Sequence, residues 1–374
     1  MKNYLLLTAS AVLVLSSCSN NEIVENYDLQ KDGPKKMSFS TYVPGATRAL
    51  FEAEQADLDT LNNQGFQLVT SYVEDGERYT TAGSMKKLEN VWSMVDNIEG
   101  VQTVIDLTWP ASDNQKVGFY AFYPESAKTI TKKQNGEDVT TEAFSFEEPV
   151  SASNDAYLLV DPSKAEFAKT DYMVAQSTLS YSETEESGNV QLDFTHILGQ
   201  VDVRIVCTDE RYNFEVGNVV LTAPNAQGYK FANGNNPGEF YLGTLENEDV
   251  SYTLDAIGIS GNFFSDGTFN IHGNNVPVVA DITKTSSEQN YGSLMVVPGA
   301  CQISLKYRAT SVDKEEGLVL NTEFTSWLSV EFDVVRARKS VVVIKLDPDV
   351  HSMTFSVDVE NWTEATSVTL DEMN

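Results

Sequence analysis

The chain has 374 residues, 41% of them hydrophobic and 10% aromatic, enough apolar material for two units of roughly 150 residues each. Against 25 Lys and Arg stand 55 Asp and Glu, a net charge of −30 that favours solubility and repels nucleic acid and anionic lipid surfaces. The three cysteines and three histidines stand nowhere at metal-ligand spacing from one another, so no metal site is expected.

In chain order, Met1-Lys2-Asn3 gives a short basic start and Leu5 to Leu15 an apolar run that Leu15-Ser16-Ser17-Cys18 closes. This reads as an export signal over residues 1–17 with Cys18 as the lipid-modified first residue of the exported chain. Residues 19–35 are polar and aperiodic, as in a tether. Met37 to Val43 alternates as a short strand, with Met37, Phe39, Thr41 and Val43 on one face and Ser38, Ser40 and Tyr42 on the other. Thr47-Arg48-Ala49 follows and offers an arginine to a protease. Ala49 to Leu61 carries a weak amphipathic pattern (Leu50, Ala53, Leu58, Leu61) with no clear stop, which suits helix and loop equally. After residue 17 no apolar run approaches the ~18 residues of a membrane span.

The body reads as strands. Val117 to Tyr123 is β-rich on both faces and stopped by Pro124, as in a central strand. Alternation recurs at Val190, Leu192 and Phe194; at Val201, Val203 and Ile205; at Leu328, Val330, Phe332 and Val334; and at Met353, Phe355, Val357 and Val359. Turn-rich segments such as Asn233 to Gly238 separate them, and the whole predicts an all-β chain of sandwiches. Residues 126–142 and the acidic stretch 183–188 read as exposed loops, and a boundary between two units falls near 188–200. Cys207 and Cys301 each lie on the apolar side of a strand, where two buried thiols are favoured over a disulfide.

Chemistry-bearing patterns are scarce. No phosphate-cradling glycine loop, serine elbow or alternating-Asp calcium loop is present, and carboxylate pairs such as Asp57/Asp59 or Asp347/Asp349 arise by chance among so many acids. No catalytic residue, cofactor or metal ligand is expected. His196, between Phe194 and Ile197-Leu198, reads as a hydrogen-bonded core residue, and Trp109 and Trp362 as strand-end packing.

One internal match stands out. Residues 353–359 repeat residues 37–43 at four positions: Met37/Met353, Phe39/Phe355, Ser40/Ser356 and Val43/Val359. Two strands with the same knobs on the same face can occupy the same groove, although strand patterning alone also restricts the choices.

The lipobox, the strand ending at Thr47-Arg48-Ala49, the Trp109-Pro110 and Lys116 to Pro124 block, Phe194 to Val203, and the closing Phe355 to Trp362 together resemble the fimbrillins, nearly along the whole chain. The resemblance implies a subunit of a bacterial surface fimbria, without catalysis, that supports cell adhesion. It implies a signal at 1–17, a tether and removable first strand at 18–48, and two tandem transthyretin-like β-sandwich domains at 49–195 and 196–374. It further implies delivery to the outer membrane through acylated Cys18, a cut between Arg48 and Ala49, and loss of the strand carrying Met37, Phe39, Thr41 and Val43. A neighbour's C-terminal strand then fills the groove. Met353, Phe355, Val357 and Val359 are the candidate donor knobs, although the segment 366–370 is open to the same role. The expected partners are other fimbrial subunits, outer-membrane lipid in the precursor and a host or bacterial surface ligand, with no nucleic acid. Stalk and tip roles both fit, and Arg48 argues against an anchor. A monomeric surface lipoprotein that binds glycan or host protein through its loops is the alternative.

Overall fold

The computed structural model describes residues 34–43, 58–98, 101–134, 137–146, 155–207, 212–233, 237–242, 247–254, 269–272, 278–280, 294–311, 327–347 and 352–361. Cys18, Arg48, Ala49, Trp362 and the 366–370 segment lie outside them. The described residues are mostly strand and form six sheets, so the chain is all-β as expected. The alternating segments read from the sequence become the strands Asn189–Asp193, Gly199–Cys207, Trp327–Val334 and Ser352–Asn361.

The largest sheet has seven strands, all antiparallel, in the order Thr195–His196, Met173–Leu179, Val117–Tyr123, Phe66–Glu74, Glu77–Leu88, Val91–Ile98 and Val101–Ile105. Its Val117–Tyr123 strand is buried at every position because both sheet faces are covered. Val117, Phe119, Ala121 and Tyr123 enter one hydrophobic cluster with Phe66, Leu68 and Phe194, while Tyr120 and Phe122 enter a second with Val69, Leu158 and Tyr229. A strand apolar on both faces is the residue pattern such a central layer requires.

The second cluster lies beneath a four-stranded sheet ordered Glu239–Tyr241, Gly228–Lys230, Ala156–Leu159 and Phe144–Phe146. Two of these strands precede the expected boundary at residue 195 and two follow it. Tyr120 packs edge-on against Phe231 at 5.4 Å, and Lys230 pairs with Asp155 at 2.7 Å. A shared sheet and a shared core therefore join the two sides of that boundary. Beyond it, Gly199–Cys207 pairs in parallel with Arg338–Asp347, which pairs antiparallel with Ser352–Asn361. A separate five-stranded sheet is built on Tyr212–Pro224 and Gly299–Ser311.

Two readings change. Residues 126–142 are not simply loop: Thr129–Gln134 and Glu137–Glu142 form an antiparallel hairpin, with Thr131 and Thr140 hydroxyls 2.6 Å apart. Its only apolar residues are Ile130 and Val139, which share one face with Ile130 packed against the second cluster, so the apolar alternation is too sparse to mark it, while its β-branched threonines suit strand. Of the pattern from Ala49 to Leu61, residues 49–57 lie outside the described residues, and the rest belongs to a helix, Leu58–Gln64, that has a clear stop. Gly65 sits at φ +79°, its N–H donates to the Leu61 carbonyl at 2.8 Å, and a Cβ there would lie 2.2 Å from the Met85 carbonyl oxygen. Only glycine ends this helix so close to the neighbouring strand.

Candidate functional site

The strand Ser38–Tyr42 has one strand partner among the described residues, Asn189–Asp193, and the two run parallel in register from Ser38↔Asn189 to Tyr42↔Asp193. Both ends of the segment are fastened by main-chain bonds. Met37 N–H donates to the Leu107 carbonyl at 2.9 Å, Trp109 N–H to Lys35 at 2.8 Å, and Ser38 N–H to Gly188 at 3.1 Å. At the far end Phe194 N–H donates to the Tyr42 carbonyl at 2.8 Å.

Period two then sorts the side chains. Phe39 and Val43 are buried in the first cluster, with Met37 packed against it, and Tyr42 is 53% exposed. Phe39 meets Phe119 edge-on at 6.0 Å, and Phe119 meets Trp109 in the same way at 5.6 Å. On the opposite face the Asn189 amide links Ser38 at 3.4 Å and Ser40 at 3.1 Å. Burying one phenylalanine and one valine contributes about 3–6 kcal/mol together. The flanking ion pairs, Lys35 with Asp113 and Lys36 with Asp106, are exposed and contribute little.

The strand lies against a backbone shaped to receive it. Gly188 has φ +69°, and a Cβ on it would stand 2.6 Å from the Lys36 carbonyl oxygen. The preceding residues form a 3₁₀ turn at Tyr181–Thr184 with Tyr181 and Thr184 buried, while in the stretch 183–188 read from the sequence as exposed loop Glu183, Glu185, Glu186 and Ser187 are exposed. Ser180 and Glu183 cap it reciprocally, the Ser180 N–H donating to the Glu183 carboxylate at 2.8 Å. The Lys116 ammonium, then the Ser180 N–H and hydroxyl, hold the Glu183 carboxyl down at about 2. Lys35 lies 4.2 Å over the Tyr181 ring, which ties the turn to the segment leading into the first strand.

Asn189–Asp193 as the receiving strand was not legible in the sequence, whose alternation at Val190, Leu192 and Phe194 marks a strand but names no partner. Of the proposed donor knobs, Met353, Phe355, Val357 and Val359 fall on Ser352–Asn361, whose inner edge is paired along its length with Arg338–Asp347 and whose outer edge carries no strand among the described residues. Val359 is 52% exposed.

His196 is buried, and its Nδ1 donates to the buried Asp171 carboxylate at 2.7 Å. Arg336 reaches the His196 carbonyl at 3.0 Å and the Thr195 hydroxyl at 2.9 Å, so this cluster is a structural junction. Cys301 is a free, buried thiol, and burial followed by the nearby Asp333 and Asp249 pushes it up to about 12.

Among the described residues, the fold and this site define a multi-sheet β protein with its first strand docked against Asn189–Asp193 and contributing Phe39 and Val43 to the core. The model of the family described as fimbrillin-like matches residues 69–362, and the chain belongs to that family. Among solved structures the chain is similar to a fimbrial protein from Bacteroides vulgatus ATCC 8482, at 14% identity over 88% of this chain and 99% of that one, with a TM-score of 0.49. It is also similar to the fimbrial anchor protein Mfa2 from Porphyromonas gingivalis, at 11% identity over 88% and 98%, with a TM-score of 0.36. No curated protein matches the sequence.

Proposed function

We propose that the chain is a structural subunit, stalk or tip, of a bacterial surface fimbria, assembled by exchange of its first strand and serving adhesion. Export as a lipoprotein through Cys18 delivers it to the outer membrane, a cut between Arg48 and Ala49 detaches the segment bearing Met37, Phe39, Thr41 and Val43, and another subunit's strand replaces it. Residues 49–195 and 196–374 form the two halves of the assembled subunit. Family membership supports the fimbrial part of this reading. The single observation that supports the exchange is the docking of Ser38–Tyr42, the one strand partner of Asn189–Asp193 among the described residues, with Phe39 and Val43 buried in the core.

Removing that strand would expose the edge of Asn189–Asp193 and two side-chain sockets at once, which is the geometry that strand addition uses. Residues 353–359 supply the same residue types at both buried positions, Phe355 for Phe39 and Val359 for Val43.

The test is the N-terminus and size of the surface-extracted protein. An N-terminus at Ala49 in a denaturant-resistant polymer series is expected, Arg48→Ala should hold the chain as monomer, and Phe355→Asp should leave a folded subunit that does not polymerise. Polymers formed by either variant would refute the corresponding step.

A further inference from the structure

Load on a subunit that hands one strand forward and receives another must cross the fold between those two points. On the assembly reading above, it enters at Asn189–Asp193 and leaves through Ser352–Asn361. The chain runs from Asp193 through Thr195–His196 directly into Gly199–Cys207, and Ser352–Asn361 follows directly on Arg338–Asp347. The two strands reached in this way are each other's neighbours. We propose that the parallel ladder between Gly199–Cys207 and Arg338–Asp347 is the force-bearing clamp of the subunit.

The direction of pairing carries the argument. Eight register pairs join the strands, from Gln200↔Lys339 to Cys207↔Leu346, over roughly 26 Å at about 3.3 Å per residue. Because the strands are parallel, Gly199 and Arg338 share one end and Asp347 lies at the other. Tension that pulls Gly199 from its N-terminal side and Asp347 from its C-terminal side therefore acts along the strands in opposite directions. All the interstrand bonds are loaded together, and none can fail first.

Three further observations suit that duty. The ladder is dry at the end where load enters: Gln200, Val201, Asp202 and Val203 are buried, as are Lys339, Ser340, Val341 and Val342, so water has no access to a strained bond there. Lys339 and Asp202 form an ion pair at 2.5 Å with side chains 10% and 1% exposed. A slip of one residue would turn the buried side chains to the opposite face and separate these charges, which fixes the register. The same end is tied across by Ala337 N–H to the Leu198 carbonyl at 2.8 Å and by the Arg336 bonds to Thr195 and His196.

The adjoining hairpin has the opposite mechanics. Arg338↔Asn361 closes its open end and Asp347↔Ser352 its turn end. A pull on Asn361 peels it one pair at a time, and the load then arrives at Asp347.

The test is single-molecule pulling on the folded full-length chain, with handles on bio-orthogonal side chains in two geometries. Handles at positions 193 and 347 load the ladder in shear, and handles at 193 and 338 peel it from one end. Rupture force several-fold higher in the first geometry is expected. Equal forces would overturn the proposal, as would rupture between 193 and 347 whose length gain leaves the ladder intact. The pull is made on single subunits, so a high shear force together with no polymer series from Arg48-cut chains would overturn the fibre reading alone.

Discussion

Phe39→Ala tests the docking of the first strand where its energy is concentrated. Phe39 is 7% exposed and meets Phe119 edge-on at 6.0 Å, so truncation removes both its apolar burial and the ring contact. Substitutions of this kind cost about 3–5 kcal/mol. The loss falls on the equilibrium between docked and undocked strand, because the strand makes no other ladder among the described residues. At about 1.4 kcal/mol per tenfold, the undocked population should rise by about two to three and a half orders of magnitude. The Phe194 amide reports it, since its N–H donates to the Tyr42 carbonyl at 2.8 Å only while the strand is docked. Hydrogen exchange at Phe194 should accelerate by that factor in the uncut precursor, while amides of Val117–Tyr123 keep their protection. Tyr42→Ala, at a side chain 53% exposed, should move it by less than about 0.5 kcal/mol. An unchanged Phe194 rate in Phe39→Ala, or uniform acceleration across the sheet, would refute the view of the strand as a separable plug.

Two other outcomes are expected. Gly188→Ala should cost about 1–3 kcal/mol for its φ of +69° in any form of the chain, with an added penalty in the uncut precursor alone, where its Cβ would meet the Lys36 carbonyl oxygen at 2.6 Å; equal denaturation midpoint shifts in cut and uncut protein would contradict this. The Glu183 carboxyl is held at about 2 against an ordinary 4.5, so its support of the Tyr181–Thr184 turn is complete above pH 4.5 and is lost as pH falls through about 2. Carbon-detected NMR titration should show that low midpoint, and a midpoint near 4.5 would remove the Lys116 and Ser180 contacts from the account.

Strand positions were legible in the sequence wherever one or both faces are apolar, because burial imposes a period. Val117–Tyr123 and Gly199–Cys207 follow from their alternation or apolar density. Pairing was not legible. Nothing local in Ser38–Tyr42 or Asn189–Asp193 selects the other, since their association depends on the shape of the core that Phe39 and Val43 complete. The hairpin at Thr129–Gln134 and Glu137–Glu142 is not legible because Ile130 and Val139 alone are apolar in it, too few to leave a hydrophobic period. His196 reads as a hydrogen-bonded core residue, yet its partner Asp171 lies 25 positions away and no spacing names it.

The four-stranded sheet shared across residue 195 bears on how the chain can be divided in the laboratory. A fragment ending there would carry Phe144–Phe146 and Ala156–Leu159 without Gly228–Lys230, with the apolar side of Leu158 uncovered. A fragment beginning at residue 196 would present Tyr229 and Phe231 to water beside an unpaired edge. Both halves would then be aggregation-prone when expressed alone, and would recover solubility on co-expression.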